Sequence, residues 1–365
     1  VQLDFFPSRA LTLYLAKMFV VRILAVLIML VLILQMLDLL SASGDILAFE
    51  GNGEAELWRY VSMRVPQLVA RFLPYSVLLA TIISLATLNQ NSEVIAMKAA
   101  GMSAHQVLAP LLMVAALVSA GSFAFNETVV VRGNATLKAW KANDYGPVPI
   151  ESGVRSNVYV TDGPDILTAA TVSGSGRETK LGGVTWYGRD PRGMITQQMR
   201  ASGATYASPG WQMDSVEVFN VETARTETRP SVVVAAGLTP EQIAIDSVDA
   251  DVMSFGELSA SIDALEAAGR RTGELEAKWW HKISGPLAAF LMPLLGAVAA
   301  FGLARSGQLF LRAVIGMALG FAYFVVDNAA LAMGSFGGYP PFLAAWSPFL
   351  LFALIGETVL IRTEE

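Results

Sequence analysis

The sequence has no cysteine among its 365 residues. That excludes disulfides, zinc–thiolate sites, iron–sulfur clusters and cysteine nucleophiles. Histidine is almost as scarce, with only His105 and His281, so a multi-histidine metal centre is excluded too. Charge is thin: 15% of residues are charged and 54% are hydrophobic. A water-soluble domain carries about a quarter charged residues, so much of this chain is made for a medium other than water. No GxxxxGK[ST] phosphate loop occurs, and the nearest glycine-rich stretch, Gly174 to Lys180, has the wrong spacing. If ATP drives this protein, another chain binds it. Nothing supports nucleic-acid binding, and no G-x-S-x-G elbow or serine beside a histidine suggests hydrolysis.

What the sequence does have is long apolar runs. A helix needs roughly 20 mostly apolar residues to cross about 30 Å of hydrocarbon, and six segments fit, near 18–40, 68–88, 106–126, 284–304, 312–333 and 342–361. The first is read as a retained span, because its apolar run continues through Leu40, beyond the length of a signal peptide, with no clean cleavage site. Lysine and arginine in short loops set orientation. With the N-terminus inside, the inner set is Arg9, Lys17, Arg22, Lys98, Arg305, Arg312 and Arg362, against Arg59, Arg64 and Arg71 outside. Both termini are therefore expected in the cytoplasm, with the long segment after span three on the other side.

That segment reads as an all-β domain. Residues 157–161, 166–172, 183–187, 194–199, 211–221 and 230–234 are short, rich in valine, threonine and aromatics, and separated by turn residues. They predict an antiparallel sandwich or an open barrel. Ser254, three residues before Glu257, has the spacing of a capping box and predicts a helix from Phe255 to Gly269. The expected fold is an α-helical integral membrane protein with six transmembrane helices and an inserted extracytoplasmic β domain. Its parts are 1–126 (spans one to three), 127–253 (β domain), 254–283 (connecting helix) and 284–365 (spans four to six).

The loop between spans two and three, Asn89 to Ser103, predicts a short helix. Ser92 can cap it, Gly101 can end it and Ser103 can cap the next. Val94, Ile95 and Met97 are available for contact and Glu93 and Lys98 for ion pairs. Two readings stand: a helix that docks into a partner's groove, or an interfacial turn.

At these residues the chain resembles a known family. Glu93-Val-Ile-Ala-Met-Lys-Ala-Ala-Gly-Met-Ser103 is similar to the coupling-helix segment of the lipopolysaccharide export permeases, the F and G subunits of that transporter. Lys282-Ile-Ser-Gly-Pro286, Phe324-Val-Val-Asp-Asn328 and Gly338-Tyr-Pro-Pro-Phe342 match further, in order, so the resemblance covers nearly the whole chain. The Asp in span five and the Tyr-Pro-Pro turn look more like the G subunit. The resemblance implies a non-catalytic permease subunit in the bacterial inner membrane, with a periplasmic β-jellyroll-like domain. An F-type permease would be its counterpart and a dimer of the cytoplasmic B-type ATPase would use ATP and Mg, with no cofactor bound by this chain. Lipopolysaccharide would pass to the C subunit and a periplasmic bridge protein. On that carry-over, the segment 92–103 transmits ATPase closure through Glu93, Val94, Ile95, Met97, Lys98 and Gly101, with Glu93 pairing with a basic residue of the ATPase.

Such a cargo combines acyl chains with phosphates, so its site should be apolar with basic groups at the rim. Family members carry lysines near the outer end of span one, whereas here Gln35 to Ser43 holds no basic residue. Arg71, Arg132, Lys138 and Lys141 are the candidates instead, with Lys138 foremost by position; each reads equally as a snorkelling cation. Two acids, Asp38 and Asp327, lie within apolar spans. Proton coupling is one reading, and a hydrogen-bonded packing element at Asp327-Asn328 the other, since one acid per span makes no relay. Gly316 and Gly320 form a GxxxG face, read either as part of a gate between permeases or as close packing within this chain. His281, among Trp279, Trp280 and Lys282, reads as part of an interfacial belt. Two other functions fit the same plan: an ATP-driven extruder of another lipid or lipoprotein, and a membrane-embedded lipid-modifying hydrolase using Asp327 or a β-domain serine.

Overall fold

The computed structural model describes residues 6–146, 155–174, 176–240, 243, 249–267, 271–301 and 309–362. Two compact units make up the chain. One contains residues 1–38, 65–130 and 269–365; the other contains 39–64 and 131–268.

Helices dominate the first unit. The chain forms α1 (Arg9–Ala48), α2 (Glu54–Gln90), the short α3 (Glu93–Ala99) and α4 (Ala104–Phe125). After the sheet, α6 (Phe255–Ala267) belongs to the second unit, and α7 (Gly273–Phe301), α8 (Leu309–Ser335) and α9 (Pro341–Arg362) to the first. Six helices are long and apolar enough to cross a membrane, and they coincide with the six expected spans. Several exceed expectation: α1 has 40 residues, about 60 Å at 1.5 Å per residue, twice the hydrocarbon thickness. The connecting stretch from Gly273 and the fourth span are one continuous helix. Their shared core includes Leu15, Phe19, Val77, Leu108, Leu111, Leu291 and Tyr323.

Close helix approach depends on small residues, as expected where lipid supplies no hydrophobic drive between helices. A Cβ at Gly296 of α7 would lie 2.7 Å from Thr81 of α2, and one at Gly356 of α9 would lie 3.2 Å from Leu294 of α7. Gly320 of α8 meets Leu78 of α2 more closely still.

The expected start of the β domain at 127 falls inside a helix. The chain leaves α4 through a π turn, Asn126–Val130, and continues as α5 (Val131–Ala142) before the first strand at Arg155. Nothing in 127–142 breaks a helix except Gly133, and Leu137, Ala139 and Trp140 have a buried face to pack. Trp140 Nε1 donates to the Tyr145 carbonyl at 2.8 Å, closing the helix end. In the second unit Trp140 and Tyr145 pack with Ala42, Ile46, Tyr60 and Leu137.

The six expected strands are all present as β1 (Arg155–Asp162), β2 (Asp165–Ser173), β3 (Lys180–Arg189), β4 (Ile195–Tyr206), β5 (Trp211–Asn220) and β6 (Arg225–Val234). They pair in sequence order, every pair antiparallel, in one sheet. The strands form a single continuous sheet, with β1 and β6 at its ends. Its core centres on Trp211, which is fully buried and donates from Nε1 to the Leu238 carbonyl at 3.1 Å. Along β5 the buried residues change parity, from Trp211 and Met213 to Val216 and Val218, at Ser215 with its φ of 53°. Register with β4 is the same on both sides, Ala204↔Met213 and Arg200↔Glu217, because β4 changes parity too, from Ala204 to Met199.

The capping box at Ser254 is formed: Ser254 N donates to Glu257 at 2.8 Å, and Glu257 N donates to Ser254 Oγ at 3.3 Å. Helix α6 follows to Ala267, and the expected end at Gly269 lies outside the described residues.

Candidate functional site

The short helix between spans two and three exists, but its ends differ from expectation in one respect. Ser92 occupies the left-handed region, with φ 59° and ψ 13°, and its side chain makes no capping bond. A serine caps from an extended backbone, which points its oxygen at the exposed N–H groups, so the turn out of α2 removes the cap that the sequence suggested. The other two signals hold. Gly101, at φ 87°, ends α3, and Ser103 opens α4 with a full capping box to Gln106.

Burial divides the residues of α3. Val94 and Met97, three apart and so on one face, are only 6% and 8% exposed and join the core of the helical unit. That corrects the expectation that both are available to a partner: a helix this short is held by its buried face. Ile95, at 62% exposure, is the large apolar side chain that α3 presents. Lys98 is exposed as well. Glu93 is half-buried; its Oε2 accepts from the Tyr14 hydroxyl at 3.3 Å and its Oε1 from Asn91 Nδ2 at 3.2 Å.

The four candidate cations are differently placed. Arg71 is an exposed residue of α2. Arg132 is exposed on α5. Lys138 is engaged: its ammonium pairs with Asp249, whose other oxygen accepts from Asp251 N at 3.0 Å. The foremost candidate by position therefore already has a carboxylate partner within its own unit. Lys141 lies over the ring of Tyr60, 5.3 Å from its centroid, and Arg59 lies 5.1 Å over Trp140, both cation–π contacts.

Asp327 is buried on α8, but not as expected. Asn328 is exposed and donates to the Phe324 carbonyl of its own helix at 2.7 Å; adjacent helical residues do not face each other. The group that faces Asp327 is His281 of α7, with Nε2 to Oδ2 at 3.7 Å, and Ser284 Oγ lies 3.4 Å from Nδ1 of the same ring. The next residue, Lys282, faces Glu127 of the π turn at 3.4 Å, with side chains 10% and 16% exposed. Consecutive residues of α7 thus pair with acids from two other segments. His105, at the start of α4, pairs with Glu357 of α9 at 2.9 Å. None of these pairs is legible locally: their members stand 46, 155 and 252 positions apart. The available signal was an acid inside an apolar span, which demands a partner without naming it. Asp38 is half-buried on α1.

Of the two glycines, Gly320 packs on Leu78 within this chain and Gly316 is buried. That is the close-packing half of the two readings. Among the described residues, no group of three or more His, Asp or Glu side chains is placed to hold a metal ion.

Comparison with known proteins matches residues 13–362 to the family described as lipopolysaccharide export system permease LptF/LptG. The lipopolysaccharide export system permease protein LptG of Escherichia coli strain K12 is 26% identical over 310 residues, covering 83% of this chain and 84% of that protein. The LptG protein of Haemophilus influenzae is 23% identical over 322 residues, covering 86% and 89%. With this match along nearly its full length, and with three spans, a six-stranded sheet and three further spans in order, the chain belongs to the lipopolysaccharide export system permease LptF/LptG family.

Proposed function

We propose that this chain is the G-type permease subunit of an ATP-driven transporter that extracts lipopolysaccharide from the inner membrane and passes it towards the outer membrane. An F-type permease completes the membrane part, and a dimer of a B-type ATPase supplies the energy with its own ATP and Mg. The β domain lies in the periplasm and hands cargo to the C subunit and a bridge protein, while both termini and α3 lie in the cytoplasm. The observation that carries this reading is α3: a seven-residue helix between two spans, anchored by Val94 and Met97, that offers Ile95 outward beside Glu93 and Lys98. An apolar anchor flanked by charges is the chemistry of a helix seated in a partner's groove. That the relatives are lipopolysaccharide export system permease proteins supports the cargo.

Arg71 and Arg132 are the cations best suited to lipid phosphates in this reading, both being exposed; Lys141 is exposed too but lies against a ring face, and Lys138 is paired with Asp249.

The test is to purify the chain with its candidate F permease and ATPase and to measure ATP-dependent release of lipopolysaccharide to a periplasmic acceptor. Release that needs ATP and all three proteins is the expected result. Glu93→Lys and Ile95→Glu should abolish ATPase association; intact association and release in both would remove α3 from the coupling role.

A further inference from the structure

The helix read as the ATPase contact is tied to a helix some 80 positions away by one directional bond. The Tyr14 hydroxyl of α1 donates to Glu93 Oε2 at 3.3 Å, while Asn91 Nδ2 donates to Oε1 at 3.2 Å. Each carboxylate oxygen thus accepts one bond from within the chain. Beside this bond the two helices share a dry core: Leu15 and Phe19 of α1 are fully buried in the same cluster as Val94 and Met97. Two turns along α1, Arg22 Nη1 donates to the Ile83 carbonyl of α2 at 3.5 Å, so α1 is bonded to both neighbours at this end.

A helix of seven residues has little rigidity of its own, so any displacement imposed on α3 reaches the bundle only through what anchors it. The apolar anchors are non-directional and tolerate sliding and rolling. A hydrogen bond to a carboxylate is directional and stronger than a neutral one, so it fixes register.

We infer that Tyr14 is a positioning residue for transport, whose hydroxyl holds Glu93 to α1 and so passes movement of the coupling helix into the first span. The inference rests on the ATP-driven permease reading above and adds to it the route taken inside this chain.

The experiment uses the full complex in lipid nanodiscs, with ATP hydrolysed and lipopolysaccharide released measured in the same sample. Tyr14→Phe removes one oxygen and keeps the ring. Expected are unchanged ATPase association and hydrolysis, with release per ATP lower by about 3- to 10-fold, the equilibrium weight of one ordinary hydrogen bond, because this one is exposed to solvent. Tyr14→Arg restores a donor of comparable reach, and release per ATP should recover; a purely structural loss at this site would lower complex yield and hydrolysis along with release. A ratio unchanged in Tyr14→Phe, or lowered equally by Tyr14→Phe and Tyr14→Arg, overturns the assignment. Absence of ATP-dependent release from the parent complex would instead overturn the permease reading, and this inference with it.

Discussion

His281 Nε2 lies 3.7 Å from Asp327 Oδ2, joining α7 to α8. Asp327 is the one buried charged residue among the described residues, and a carboxylate in such surroundings is costly unless it is partnered. His281→Ala should therefore destabilise the folded chain by about 1–3 kcal/mol, the cost of leaving a buried polar group unsatisfied. Asp327→Asn should cost less, and the double substitution less than the sum of the two, since the second change removes the group that the first left unpaired. Thermal unfolding of the four proteins in one detergent measures the coupling; strict additivity would show that the pair does not interact.

At Lys138 the ion pair with Asp249 separates stability from cargo. Lys138→Gln should lower stability by only about 0.5–1 kcal/mol, because the lysine is partly solvated and its charge is screened. Exposed Arg132 has no such carboxylate in its described contacts, so Arg132→Gln should reduce lipopolysaccharide crosslinking more than Lys138→Gln does. Asp249→Asn should raise crosslinking at Lys138 by releasing the ammonium. Photocrosslinking from residues beside each position reads all three, and an order led by Lys138→Gln would return that lysine to the cargo site.

Gly320 and Leu78 make a size-exchange test of helix packing. A side chain at 320 meets the Leu78 methyl groups, so Gly320→Val should cost about 1–3 kcal/mol through overpacking. Leu78→Ala in the same chain should return part of that loss by opening space. The readout is the denaturation midpoint in mild detergent; an unaffected Gly320→Val protein would mean that α2 and α8 do not approach closely at this level.

The two faces of α3 should respond oppositely. Val94→Ala removes buried methyl groups and should destabilise the helical unit by about 1–3 kcal/mol, leaving ATPase affinity to follow from the loss of fold. Ile95→Ala, on the exposed face, should leave unfolding unchanged within about 0.5 kcal/mol and weaken ATPase association. Unfolding curves and co-purification yields on the same two proteins decide it; the reverse pattern would put the wrong face outward.

Local chemistry made most of the architecture legible. Apolar runs long enough to cross a bilayer gave all six spans, because hydropathy acts residue by residue. Short β-branched and aromatic segments between turn residues gave all six strands. The cap at Ser103, the capping box at Ser254 and the stop at Gly101 are legible because each needs only a few neighbouring positions. The differences also have local causes. Apolar character fades near 127, but a helix does not end because its residues become polar, and α5 runs on to Ala142. Ser92 has the right residue type for a cap but a backbone turned left-handed by the exit from α2.

By itself the sequence determined the composition of each part: six helices that need lipid, a sheet that needs water, a short helix between two spans, and an acid buried in α8 that required some partner. The tertiary structure alone decided what each polar group meets. It paired Asp327 with His281, Lys282 with Glu127, His105 with Glu357, Lys138 with Asp249 and Glu93 with Tyr14, and it turned Val94 and Met97 inward while leaving Ile95 outside. The physical reason is range. Hydropathy, capping and strand alternation are carried by neighbours in the chain, whereas a desolvated charge is satisfied by whichever group folding brings beside it.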